Sequence, residues 1–310
     1  MNPERKLILL PMDGSDRSME VVKYISKAMN LANAEIVFLS IIDKTPDVFW
    51  DTERDPTVSM HMEHMKSWDT YKEQKMQDRL KTACKILEAA GVPKSAVTCN
   101  LQKRQSGIAR DIIAEAKFGY DLVALARSGL GRMDDSMLGS IAAKVFINVS
   151  DAPICLLGGK PKAGKILVGL DNSLGSVRVV NFVCKMLNAS NQTVCLAHVV
   201  RIPETVGGEP LDENNVSKIT REHEAVMKPV FENAIKSLTS AGFAPENIST
   251  KLITTGGGRA ANLFTEASAG KFGAIVVGRR GTDDVAEFSM GRVAYKLGYI
   301  AKNVALWVIA

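Results

Sequence analysis

The sequence predicts an α/β protein built of two tandem doubly wound domains, each a five-stranded, mainly parallel sheet with helices on both faces. Three observations lead there. A short apolar run ending in an aspartate occurs twice, as Ile8-Leu9-Leu10-Pro11-Met12-Asp13-Gly14-Ser15 and as Ile166-Leu167-Val168-Gly169-Leu170-Asp171-Asn172-Ser173. About 110 residues after each aspartate a second apolar run breaks into glycines, a separation long enough for several βα units. The first copy reads Ala126-x2-Gly129-x9-Gly139-Ser140 and the second Gly278-x2-Gly281-x9-Gly291-Arg292, with identical gaps. Between these landmarks, short apolar runs alternate with apolar stripes at helical spacing, the order of parallel strands joined by helical crossovers. Self-similarity over so long a period marks a duplicated structural unit.

In the first half the strand-like runs are Leu7–Leu10, Ile36–Ile42, Val97–Leu101, Leu122–Ala126 and Ile154–Leu157. They are short, nearly continuous and bounded by Gly, Pro or Asp, as strands covered on both faces should be. The first helix carries Val21, Val22, Ile25, Ala28 and Met29 on one face, with Ser18 as its expected cap. The second carries Met76, Leu80, Ala83, Cys84, Leu87 and Ala90; the third Ile108, Ile112, Ile113 and Ala116; the fourth Ile141, Val145, Phe146 and Val149. The second half repeats the plan. Its strands are expected at Ile166–Leu170, Thr193–Val200, Ser249–Ile253, Ala274–Val277 and Val304–Ile309. Its helices are expected near Val177–Leu187, Val216–Ala241, Ala260–Ala269 and Arg292–Ile300. A polar stretch, Gly158-Gly159-Lys160-Pro161-Lys162-Ala163-Gly164, separates a first domain at residues 1–158 from a second at 164–310. The halves differ most after their second strands. Lys44 to Lys75 carries Trp50, Trp68, Tyr71 and several methionines, whereas Arg201 to Thr220 is rich in Gly, Pro, Glu and Asn. A lid or partner surface and an ordinary excursion into the next helix both remain open for each.

A chain of 310 residues is long enough for two domains with cores of their own. A net charge of +5 spread over that length, without a basic block or zinc-finger spacing, gives no support to a nucleic-acid partner. No apolar stretch approaches the length of a membrane span and no signal-peptide core precedes the first strand, so the expectation is a cytoplasmic chain with no membrane partner. The five cysteines are odd in number, scattered, and form no C-x-x-C pair. They are expected to be buried, reduced thiols.

An open parallel sheet holds ligands at the carboxyl ends of its strands, where the strand order reverses. Pro11-Met12-Asp13 and Leu170-Asp171 lie at first-strand ends, and each glycine segment begins where a fourth strand ends. If those strands are neighbours, carboxylate and glycine loop converge on one crevice. Glycines let backbone N–H groups approach a ligand without a Cβ in the way. Gly139-Ser140-Ile141 and Gly291-Arg292 precede apolar helical stripes, so they should stand at helix N-termini, where free N–H groups and the helix dipole favour a phosphate. Ser140 offers a hydroxyl donor and Arg292 a guanidinium.

Other features carry less. Gly159-x4-Gly164-Lys165 fits the opening of a phosphate-binding P-loop, but Ile166 replaces the required Ser/Thr and a strand follows where a helix should. Gly129-x-Gly131 lacks the third glycine of a dinucleotide fingerprint. Gly256-Gly257-Gly258 is read as a strand-to-helix turn. His61 and His64, among Met60, Met62 and Met65, make at best a partial soft-metal site, so no metal is assigned. His198 sits in an apolar run and is expected to be a satisfied core histidine. Arg127, Arg279 and Arg280, between the first two motif positions, are expected to be solvated loop charges.

These motifs resemble the universal stress protein family in its tandem form, over nearly the whole chain outside residues 158–164 and part of Lys44–Lys75. Nucleotide-binding members carry G-x2-G-x9-G-[ST] after the fourth strand and an Asp at the end of the first. The resemblance implies a sheet order of 3-2-1-4-5 and pairing of the two domains through Ile154–Leu157 and Val304–Ile309. It also implies a stress-response role and an adenine nucleotide, ATP or a relative with or without Mg²⁺, as ligand. Asp13 and Asp171 would then face the ribose or a Mg²⁺-bound phosphate, and Ile41 and Val199, at second-strand ends, the adenine. The phosphates would lie on Ala126, Gly129, Gly139, Ser140 and Ile141 in one half and on Gly278, Gly281, Gly291 and Arg292 in the other. Two departures stand out. Ala126 occupies the place of the first glycine, and Arg292 replaces the final Ser/Thr, where it either clamps a phosphate or fills the pocket. The second departure is larger, which ranks the first half ahead.

No constellation demands catalysis, since motif positions hold neither a histidine or glutamate base nor an activated nucleophile. The reading is a nucleotide-responsive regulatory module, an internal pseudo-dimer that could dimerise again. A protein-interaction module without nucleotide and a slow ATPase are the alternatives.

Overall fold

β1 (Lys6–Pro11) is buried almost throughout and runs straight into the first helix, α1 (Asp16–Ala28). These are the first elements of a computed structural model that describes residues 5–42, 56–129, 137–202, 205–206, 209–210, 212–255, 257–281 and 290–310; side chains at 56–69, 191, 205–206, 209–210 and 255 are not among those described. The α1 cap is Ser15, not Ser18: Ser15 is extended, and its hydroxyl accepts the N–H of Ser18 three residues on. β2 (Ala34–Ile42) follows, then α2 (Pro56–Ala89), which starts well before the stripe at Met76. A proline costs nothing in a first helical turn, where its missing N–H has no partner to lose. Trp50 and the rest of 43–55 lie outside the described residues. So do the side chains of His61, His64 and Trp68.

β3 (Val97–Lys103), α3 (Ile108–Glu115), β4 (Leu122–Ala126), α4 (Ser140–Asn148) and β5 (Ile154–Leu157) complete the first half. β3 is half-exposed rather than buried, because it ends the sheet and has β2 on one side only. The second half comprises β6 (Lys165–Gly169), α5 (Leu174–Met186), β7 (Thr193–Arg201), α6 (Glu213–Ser240), β10 (Ile248–Thr255), α7 (Arg259–Ala269), β11 (Ala274–Gly278), α8 (Arg292–Ile300) and β12 (Ala305–Ile309). Between β7 and α6, β8 (Thr205–Val206) and β9 (Glu209–Pro210) form a two-residue antiparallel ribbon.

The strands make one ten-stranded sheet, β3-β2-β1-β4-β5-β12-β11-β6-β7-β10. Each half is parallel in the order 3-2-1-4-5, and the halves join where β12 runs antiparallel to β5, Trp307 opposite Cys155. α1, α2, α5 and α6 cover one face and α3, α4, α7 and α8 the other. Neither core stops at the junction: on both faces a single apolar cluster contains residues of both halves.

The junction is a local pseudo-twofold. The backbone N–H of Asn30 donates to Met186 O at 2.9 Å, and that of Asn188 to Ala28 O at 3.0 Å. Trp307, fully buried, sits between Tyr24 (centroids 6.2 Å) and Phe182 (5.8 Å), which hold corresponding places after Asp13 and Asp171. Cys155 and Trp307 are themselves equivalent by position after Gly139 and Gly291, so a small and a large side chain meet on the axis. The opposite face repeats the device. Gly298 leaves room for the Phe146 ring, and any Cβ there would collide with it. Phe146 and Gly298 are also positional equivalents.

Candidate functional site

β1 lies between β2 and β4, and its neighbours are reached by crossovers on opposite sides, so its carboxyl end is the point where strand order reverses. There the sequence places Asp13. Its Oδ1 accepts the N–H of Ser15 at 3.0 Å and the Ser15 hydroxyl at 2.6 Å, which orients the carboxylate. Gly129 packs directly on Oδ2, where a Cβ would collide. The second half repeats this: the Ser173 and Ser176 hydroxyls donate to Asp171 Oδ1, the latter at 2.9 Å, and a Cβ on Gly281 would stand 2.5 Å from Asp171 Oδ2. The second motif glycine is therefore required by the approach of the loop to the carboxylate.

The third glycine closes the loop at its base. Gly139 N–H donates to Arg127 O at 2.7 Å, and Gly291 N–H to Arg279 O at 2.8 Å. A Cβ would lie 3.1 Å from the same oxygen in both halves. Gly139 then caps α4, and Gly291 caps α8. Ser140, Ile141 and Arg292 occupy the first turns of these helices and are exposed. Residues 130–136 and 282–289, the interiors of the two loops, lie outside the described residues.

The flanks differ. In the first half Arg17 donates to Gly129 O at 3.2 Å, and Met76 of α2 packs beside Gly14, its methyl 3.3 Å from where a Cβ would begin. In the second half Gly175 stands in the place of Arg17 and lets the Arg280 carbonyl approach closely; a Cβ there would lie 2.8 Å from it. A Cβ on Gly278 would stand 3.0 Å from the same carbonyl oxygen. Ala126, its counterpart, is half-buried against the core. Pro11 ends β1 in register with Leu39. Ile41 and Val199 lie one strand over, at the ends of β2 and β7, half-buried and buried respectively.

His198, one residue before Val199, is satisfied as expected. Its Nδ1 lies 2.8 Å from Leu170 O and its Nε2 3.2 Å from Nδ1 of His223, whose ring stacks on it. Burial, before any other cause, holds His198 below the usual histidine value; His223 and Arg259 act in the same direction, and the Leu170 carbonyl and Asp171 oppose them.

The arginines correct the reading of solvated loop charges. Arg127 is 1% exposed and Arg279 6%. Arg127 donates to the carbonyls of Gly298 and, at 3.0 Å, Tyr299, at the C-terminal end of α8. Arg279 donates to Val149 O and Ile147 O, both at 2.7 Å, at the C-terminal end of α4. Each half thus sends a guanidinium from the root of its glycine loop to the carbonyl end of the other half's loop helix, where charge and dipole match. Burial, joined by the neighbouring Arg280, lowers the Arg279 pKa, with Asp151 opposing. The signal was present in the sequence: an arginine directly after the first motif position in both copies.

The thiols also differ from expectation. Cys155 and Cys195 are buried, Cys84 and Cys184 are partly buried and Cys99 is exposed.

Comparison with known proteins accords with this geometry. A family model described as the universal stress protein family matches residues 4–153 and again 162–302. A universal stress protein of Methanocaldococcus jannaschii is 27% identical over 161 residues, 51% of this chain and 84% of that protein. A solved universal stress protein from Archaeoglobus fulgidus aligns over 98% of this chain and 97% of its own, with a TM-score of 0.58 at 16% identity. A putative universal stress protein from Pseudomonas aeruginosa aligns over 99% and 94%, with a TM-score of 0.57 at 12% identity. At these identities the two structures show the fold.

Proposed function

This chain belongs to the universal stress protein family in both of its halves, and on that premise we propose that it binds an adenine nucleotide, ATP or a relative, in at least one half and acts as a nucleotide-responsive regulatory module in a stress response. The observation that supports this most is the repeated pinched loop. In each half a glycine rests on an oriented aspartate, a second glycine clamps the loop base, and the loop delivers the chain to a helix N-terminus. Such an arrangement leaves backbone N–H groups and the positive end of a helix dipole for an anion. The glycines hold each loop against its own aspartate and root, where a Cβ would force the backbone away.

In this reading Gly129, Gly139, Ser140 and Ile141 hold phosphate in the first half, and Asp13 takes the ribose or a Mg²⁺-bound phosphate. Gly278, Gly281, Gly291 and Arg292 do so in the second, with Asp171 opposite. Ile41 and Val199 meet the base. Arg292 stands exposed at the start of α8, a position from which a guanidinium can clamp a phosphate. The buried arginine bridges make each loop root part of the other half's helix end, so a ligand bound at one loop bears on the other half. No helix among the described residues is long and apolar enough to cross a membrane.

The test is the nucleotide content of the purified, heat-extracted chain, measured by absorbance and chromatography and followed by titration with Mg-ATP. One nucleotide per chain indicates one competent half, which Gly139→Val and Gly291→Val then identify. Two per chain means that both departures are tolerated. No bound nucleotide and no binding on titration refutes the proposal and leaves the interaction module. Turnover of bound ATP that Asp13→Ala abolishes would establish the ATPase.

A further inference from the structure

We propose that Cys84 and Cys99 are an oxidant-driven modification site, a thiol pair that closes into a reversible disulfide and staples α2 to the edge strand β3. Their Sγ atoms stand 3.7 Å apart, at van der Waals contact. The meeting is not accidental. Cys84 lies one turn from both Leu80 and Leu87, which are buried, so it sits on the inward flank of α2. Cys99 shares a face of β3 with Val97 and stands in register with Phe38 of β2, and Val97, Phe38 and Cys84 belong to one apolar cluster. The helical period of α2 and the two-residue period of β3 thus aim both thiols at the same seam. β3 is the last strand of the sheet, so the seam opens to solvent, and Cys99 is exposed.

The exposed and inner thiols have different parts. Cys99 is the thiol a hydroperoxide can reach. Its sulfur attacks the peroxide oxygen, an S–O bond forms as the O–O bond breaks, and the departing hydroxide takes the Cys99 thiol proton and leaves as water. Cys84 then attacks the Cys99 sulfur; an S–S bond forms, the S–O bond breaks, and the hydroxyl departs as a second water with the Cys84 proton. Two thiols lose two electrons and one hydroperoxide is reduced. Burial, reinforced by Cys99 itself, pushes the Cys84 thiol up to about 11, and its partly buried place on α2 leaves the first encounter with peroxide to the exposed Cys99. Closure needs the sulfurs to approach by side-chain rotation within one seam. The staple would fix the end of α2 two turns beyond Met76, the residue beside Gly14, so the oxidised form holds one wall of the first candidate site in place.

The experiment takes the full chain, fully reduced and freed of reductant, and exposes it to a small excess of hydrogen peroxide. Thiols are counted after denaturation, and peptides are mapped by mass spectrometry. The expected result is a fall from five thiols to three, a single Cys84–Cys99 cross-linked peptide, and full recovery with dithiothreitol. Cys99→Ser, at an exposed position, should keep all of its four thiols under the same treatment, and Cys84→Ala should leave Cys99 as a sulfenic or higher acid. Overoxidised Cys99 beside free Cys84 in the wild-type chain overturns the proposal. So does a disulfide through Cys184 or Cys195, or one between chains.

Discussion

Exchanging Cys155 and Trp307 tests whether the halves are fitted to one another at their junction. Trp307 is fully buried between Tyr24 and Phe182, opposite Cys155 on the pseudo-twofold. A tryptophan buries roughly 150–250 Å², which at about 25 cal/mol/Å² is worth about 4–6 kcal/mol. Trp307→Cys retains part of that and leaves a cavity, so about 3–4 kcal/mol should be lost. Cys155→Trp alone sets two indoles on the axis and should cost about 3 kcal/mol or more through overpacking. The double exchange places the one indole at the equivalent position, between the same two rings. It should recover about half of the summed loss, a coupling near 3 kcal/mol and at the upper end for residues in contact. Urea denaturation of the four proteins, followed by far-ultraviolet circular dichroism, measures it. Additive losses, within about 0.5 kcal/mol, would refute the idea that the small–large pair is the device that joins the halves.

Arg127→Met and Arg279→Met each remove two charge-assisted hydrogen bonds to the other half's helix end. Allowing for water that reaches the freed carbonyls, each should lower stability by about 2–4 kcal/mol; a loss under about 1 kcal/mol would mean the bridges are incidental. Gly129→Ala sets a methyl against Asp13 Oδ2 and should cut Mg-ATP affinity at least about tenfold by calorimetry, with Gly281→Ala doing the same if the second half binds. Because His198 is held below 6.5 in the folded chain, the unfolded chain binds more protons in the interval below that value. Stability should therefore be complete above about pH 6.5, decline as pH falls through the interval, and level off once folded His198 is protonated too. His198→Asn should flatten this part of the pH–stability curve in chemical denaturation, and an unchanged slope would assign the effect to other groups.

Much of the fold was legible because its signals are local. Apolar runs such as Leu122–Ala126 and stripes such as Ile141, Val145 and Phe146 repeat with strand and helix periods, and the αβ alternation then restricts the topology. Boundaries were less so: the predicted cap at Ser18 lost to Ser15, because capping depends on which hydroxyl precedes the first helical turn in space. At the site, the glycine spacing was visible, and so were the aspartates that orient the loops. The destination of Arg127 and Arg279 was not. A charge between two motif positions looks solvated until a helix C-terminus from the other half is set against it. The Cys84–Cys99 seam was hidden for the same reason, since neither thiol has a motif neighbour and their contact exists only where helix and strand faces coincide.

The sequence by itself determined that this chain holds two copies of one α/β unit, the order of its main strands and helices, and which aspartates and glycines meet at the sheet's carboxyl edge. Periodicity and turn chemistry act over a few residues and are written in order along the chain. Only the tertiary structure decided how the copies differ in use: Trp307 against Cys155, Phe146 into the space at Gly298, and each half's arginine on the other's helix end. Those contacts join residues with no local relation in sequence, and they arise because a twofold junction confronts each residue with its own counterpart's surroundings, where two large side chains cannot share the axis.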